Sequence, residues 1–268
     1  MVSSQVRRYE ALWDEIEPCQ RCRQAPALGP KLAVATVFVP LRPLPPQPSA
    51  NLPIRFLLVG AEPSDNWEGS PPASNEAARQ RIRDGYRNYT GNTRTIALHF
   101  AAREWLIDKT VEGFAITDLA KCAMDRTLAD ATPERYAICA PWLHREIALL
   151  KPAALIAVGD RPLKYLRRIS LPSNLPIFKV PHFSRLAASS WAEEIPMRPR
   201  GVPNESYLEY ANDVLRTYHP AAEFVTEVTP AITRLLALYR KRFNAIRRDI
   251  APTDMTRPYA ASRVRPLA

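Results

Sequence analysis

Along this chain, short unbroken apolar runs alternate with longer segments whose apolar positions recur every three or four residues. The runs are IRFLLVG at 54–60, FAITDLA at 114–120, ALIAVG at 154–159 and IFKVPH at 177–182. Each has the length and continuity of a strand covered on both faces. Helical patterns fall near 74–86, 93–108, 133–150 and 161–169, each long enough to cross back over a sheet. Together they predict an α/β fold, a three-layer α/β/α architecture around a central four-stranded parallel sheet. Ligands of such a sheet gather beyond the carboxyl ends of its strands, where VGAEPSDNW, TDLAKC and VPHFSR stand. Ahead of this core, Val6, Tyr9, Leu12, Trp13 and Ile16 form a helical stripe over 5–17. The stretch 24–53, with PLRPLPPQP at 40–48, predicts an extended loop around a short strand, ATVFV. Past residue 190 come a Pro- and Arg-containing loop, helices near 205–217 and 229–247, and a polar tail. We therefore expect one domain over residues 1–190 and a helical C-terminal extension over 191–268.

Composition narrows the function. A hydrophobic content of 46% in 268 residues fills a real core. No run approaches the eighteen or so apolar residues of a membrane span, and the start mixes charges throughout instead of showing an apolar signal region, so a cytoplasmic protein with no membrane partner is expected. The 37 Lys and Arg against 27 Asp and Glu give a net charge of +10. Such a balance suits a polyanionic partner or simply keeps the chain soluble, and the arginine-rich stretches RKRFNAIRR and TRPYAASRVRPLA hold part of it.

The four cysteines are Cys19, Cys22, Cys122 and Cys139. A C-x-x-C pair with two later thiols supplies four soft ligands, the complement of a tetrahedral zinc or of an iron-sulfur cluster. Buried thiols or two disulfides are the other uses of the same residues.

Read in order, the motifs are C-x-x-C, a strand ending in GAEPS, NYTGN, ITDLAKC, a helix carrying Cys139 in CAPWLHREIALLKP, a strand ending in VGD, and VPHFSR. This order resembles the uracil-DNA glycosylase superfamily, and within it the branch that carries a four-iron, four-sulfur (4Fe-4S) cluster. The resemblance implies that Cys19, Cys22, Cys122 and Cys139 hold such a cluster, with zinc as the alternative. It implies hydrolysis of the N-glycosidic bond of uracil or a related deaminated base in DNA by a monomer acting in base excision repair. Glu62 takes the position of an acid that faces the sugar, and His182 that of a histidine that donates to the departing base. The base pocket would be built from Tyr89, Asp118, Ala61 and Pro63. Ser64, Lys121, Ser184 and Arg185 would contact the DNA backbone, with Phe183 or Leu186 as a wedge. Three departures stand out. Ala61 occupies the place of the branch's usual acid, Phe183 stands where proline is usual, and Asp118 replaces an asparagine. An ionised aspartate offers only acceptors and suits an amine better than a carbonyl, so Asp118 opens two alternatives: a glycosylase for a different damaged base, or a non-catalytic iron-sulfur protein that binds DNA or a partner.

Overall fold

A computed structural model of the chain describes residues 4–19, 21–22, 39–40, 52–62, 93–123, 133–183, 195, 199–218 and 225–250. Helix α1 spans Ser4–Ile16. After it come β1 (Val39–Pro40), β2 (Ile54–Gly60), α2 (Thr93–Ala101), β3 (Gly113–Asp118), β4 (Cys122–Ala123), α3 (Pro133–Leu150), β5 (Ala154–Val158), α4 (Asp160–Leu166), β6 (Ile177–Val180), α5 (Asn204–Tyr218) and α6 (Pro230–Asp249). The four long apolar runs form one parallel sheet in the order β3-β2-β5-β6, as their continuous hydrophobicity predicts. The fold is α/β, a four-stranded all-parallel sheet between two helical layers. The helix expected over 74–86 lies outside the described residues. Of the expected strand ATVFV only Val39 is described, and β1 pairs antiparallel with β4, setting Pro40 opposite Cys122.

Side chains along β2 alternate between two cores, as the period of two in a strand requires. Leu57 and Val59 face α1 and α3, where Tyr9, Trp13, Ile16, Leu143 and Ile147 are buried. Phe56 and Leu58 face the opposite layer, where Phe100 of α2, Tyr207 of α5, and Leu236 and Tyr239 of α6 are buried. The segment beyond residue 190 thus supplies much of one core. Each side chain named here is less than about a tenth exposed, and burying one stabilises the fold by about 1.5–3 kcal/mol.

Two local features anchor the layers. The Gln5 amide donates to Leu150 O at 2.6 Å and accepts from Ile54 N at 3.0 Å, which ties α1 to the end of α3 and the start of β2. The helix expected over 93–108 ends at Ala101 and continues as a single π-type turn, Ala102–Leu106, where Ile107 N donates to Ala102 O at 3.3 Å. Asp108 stops it by accepting from Thr110 N and Thr110 Oγ1, an Asx turn that competes with the next helical bonds.

Candidate active site

The carboxyl ends of β2 and β3 lie side by side because these strands pair in register through Gly60 and Asp118. Their loops continue together, with Leu119 N donating to Gly60 O and Ala120 N to Ala61 O. Glu62 and Asp118 are thereby brought to one rim. Glycine at 60 is required by contact. A Cβ there would lie 2.0 Å from Asp118 Oδ1, so the carboxyl rests directly on the glycine backbone.

Glu62 is partly exposed and is held from behind. Arg135, buried near the start of α3, donates through one guanidinium nitrogen to Glu62 Oε2 at 2.9 Å and through another to Cys122 O at 3.0 Å. A planar fork fixes a carboxylate's direction better than an ammonium could.

Beneath Asp118 runs a buried polar network. Lys121 Nζ lies 2.6 Å from each of Thr117 Oγ1, Asp118 O and Glu146 Oε2. Glu146 also accepts from Thr117 Oγ1 at 2.9 Å and from the Tyr9 hydroxyl at 3.5 Å. Lys121 is 1% exposed, so the expected phosphate contact from this residue does not fit: its ammonium points into the core and its three hydrogens are already placed. Asp118 keeps part of its surface open, but the protein around its carboxyl pushes it up to about 7. Burial is the main cause; Lys121 opposes it, while Glu62 and Glu146 add to it.

His182 sits beyond β6, across the sheet end. Gly159, at φ +99°, closes β5 and leaves room for it, since a Cβ there would be 3.1 Å from His182 Cβ. The Tyr239 hydroxyl of α6 donates to Pro181 O at 3.1 Å, and Arg94 donates to Phe183 O at 3.4 Å. These bonds hold the backbone on both sides of the histidine. Its ring stacks on Phe183 with centroids 4.4 Å apart, and Phe183 packs against the core on that side. Burial, then Arg161, lowers the imidazole below its usual value, which keeps it neutral with a ring N–H to donate. Tyr136 of α3 lies on the Glu62 and Asp118 side, its ring edge-on to Tyr165 at 5.2 Å. Burial first and Glu62 next push its phenol up to about 12, so it remains a donor.

Three cysteines form their own buried cluster, Cys22, Cys122 and Cys139, with Cys19 partly buried against the α1/α3 core. All four are free thiols, which excludes the two-disulfide reading for this structure. A hydrogen bond from Cys22 lowers Cys139 to about 6 and raises Cys22 in turn. The C-x-x-C turn is latched to α3 by Arg21, whose guanidinium lies 4.7 Å over the Trp142 ring, with Arg145 at 5.1 Å from the same ring. The donor set has the chemistry of a soft-metal site, although no group of three or more His, Cys, Asp or Glu among the described residues is arranged to hold a metal ion as it stands.

Pro63, Ser64, Tyr89, Ser184, Arg185 and Leu186 lie outside the described residues. Sequence reasoning missed Arg135, Tyr136 and Glu146, which all reach the site from α3.

The family model of the uracil DNA glycosylase superfamily matches residues 50–229. The chain belongs to that superfamily. The match runs from just before β2 through α5 to the residue that precedes α6, and includes Glu62, Asp118, Lys121, Arg135 and His182. Membership points to a DNA glycosylase, a hydrolase of DNA repair, for which DNA is the natural partner. No curated protein matches the chain. Among the described residues no helix is long and apolar enough to cross a membrane.

Proposed function

We propose that this protein is a monofunctional glycosylase that hydrolyses the N-glycosidic bond of uracil or a related deaminated base in DNA. The observation that carries the reading is the presence, at the carboxyl end of one parallel sheet, of a carboxylate fixed by Arg135 and a histidine with its backbone held on both sides. Cleavage builds positive charge at the sugar C1′ and negative charge on the leaving base. Glu62 faces the first, directing a water to C1′ and taking its proton as the C–O bond forms. His182 faces the second, donating its ring N–H to the base oxygen as the C–N bond breaks, and the released base anion takes a proton from solvent. A monofunctional reaction is supported by Lys121, whose ammonium is locked in an ion pair and so presents no amine to the sugar.

Cys19, Cys22, Cys122 and Cys139 are the residues that would hold a 4Fe-4S cluster, and the group would act as a structural clamp near the DNA face. Iron and acid-labile sulfide in the purified protein, with a brown colour, support this assignment. Stoichiometric zinc in a colourless protein refutes it. The activity is tested by incubating the full chain with uracil-containing duplex and single-stranded DNA and looking for abasic sites. Glu62→Ala and His182→Ala are each expected to lower release about 100-fold or more. Release unaffected by both changes would refute the assigned roles.

A further inference from the structure

Asp118 ends β3 on the rim it shares with Glu62, and its surroundings favour one form of its carboxyl. The nearby cations are both engaged elsewhere. Lys121 directs its three hydrogens to Thr117 Oγ1, the Asp118 main-chain oxygen and Glu146 Oε2. Arg135 donates to Glu62 and to Cys122 O. No cation among the described residues donates to the Asp118 side chain, whose Oδ1 lies against the Gly60 backbone. The other titratable groups around it are Glu62 from the β2 loop and, from α3, Glu146 and the Tyr136 phenol. The two acids repel a charge on Asp118, Lys121 attracts one from below, and burial is the largest influence and favours the neutral form.

We propose that Asp118 reads the base as a neutral carboxylic acid, so that the substrate class is bases showing a carbonyl oxygen beside a ring N–H, as uracil and hypoxanthine do. This rests on the glycosylase reading above. A neutral acid has one O–H to give and one carbonyl to receive, matching that edge with two hydrogen bonds. The ionised form has only acceptors and would repel the base oxygen. It would instead suit an edge with two adjacent donors, such as that of 8-oxoguanine, where a ring N–H stands beside an amine. The pKa near 7, raised chiefly by burial, agrees with the neutral form below neutrality.

The sign follows from the form required. The acid is protonated below about 7 and loses its proton above, so release of uracil falls about tenfold per pH unit on the alkaline side. Measured on the full chain with uracil-DNA under single-turnover conditions, the ratio of release at about pH 6 to that at about pH 8.5 is expected near 30. For Asp118→Asn, which has no proton to lose, the ratio is expected within a few-fold of one. His182, lowered from its usual value by burial and Arg161, is neutral on the alkaline side of this window and so does not produce a loss of release there. Infrared difference spectra give a second readout that needs no activity: the protonated-carboxyl stretch at about pH 6 is present in the wild type and absent in Asp118→Asn. Wild-type release that is flat with pH, a preference for 8-oxoguanine over uracil and hypoxanthine, or absence of that band each overturns the inference while the glycosylase reading stands. Absence of release from any of the three DNAs at any pH overturns the glycosylase reading and the inference with it.

Discussion

Lys121→Met isolates the buried ion pair under the site. The native Lys121 side chain is 2% exposed and its Glu146 partner 0%, and the ammonium lies 5.9 Å from the centre of the Trp13 ring. Methionine is close in length and keeps the packing, but it removes all three 2.6 Å contacts. Glu146 then retains Thr117 and Tyr9 as donors and has no counter-charge. Removing one partner of a buried pair costs about 3–5 kcal/mol, which for a chain of this size lowers the melting temperature by about 10 °C. Replacing both charges, as in Lys121→Met with Glu146→Leu, is expected to recover most of the loss, because no unpaired charge remains in the core. Urea unfolding followed by tryptophan fluorescence measures each step, with Trp13 beside the pair as an internal reporter. DNA affinity of the folded single variant is expected to match the wild type, including its salt dependence. A single variant as stable as the wild type, or one that keeps its stability while its salt slope drops by about 0.9, would refute the reasoning and return Lys121 to a phosphate.

Other substitutions test how the site residues are held. Gly60→Ala places a methyl 2.0 Å from Asp118 Oδ1, so base release is expected to fall at least about tenfold as the acid is displaced, read by the same single-turnover assay. Tyr239→Phe leaves Pro181 O without its buried donor. It is expected to cost about 1–3 kcal/mol in urea and to lower kcat more than DNA affinity, because the backbone before His182 loosens. Arg135→Met frees Glu62, and a loss of release of about 100-fold with DNA binding retained is expected. Release within threefold of wild type would mean that the guanidinium does not orient the acid.

The sheet was legible because each buried strand is an uninterrupted apolar run, a pattern no amphipathic surface element shares. The strand-end positions of Glu62 and His182 followed from that, since they stand just past or at the end of such a run; Asp118 lies inside the run FAITDLA, and β3 stops at it. Lys121 was misread for a physical reason. It stands beside the site in sequence, but the turn after β3 returns its side chain beneath the sheet to Glu146, a partner 25 residues away that only the fold brings near. Arg135, Tyr136 and Glu146 went unnoticed on a helix that reads as ordinary. A signal was present. Positions 135, 139, 142, 143, 146, 147 and 150 form one helical stripe, and apart from Arg135 and Glu146 it is apolar and buried. A charge on the covered face of a helix demands a buried partner, and here those partners are Glu62 and Lys121.

Arg135 gives the cysteine segment a nearer relation to the chemistry than that of a remote clamp. One side chain spans from the main chain of Cys122 to the carboxylate proposed to direct the water, with bonds of 3.0 Å and 2.9 Å at its two ends. The fork is rigid, so its two ends cannot shift independently. The aim of Glu62 is therefore referenced to the backbone at residue 122: a displacement of that strand, whatever its origin, is passed through one guanidinium to the acid. The foundation of the site is laid in the thiol cluster.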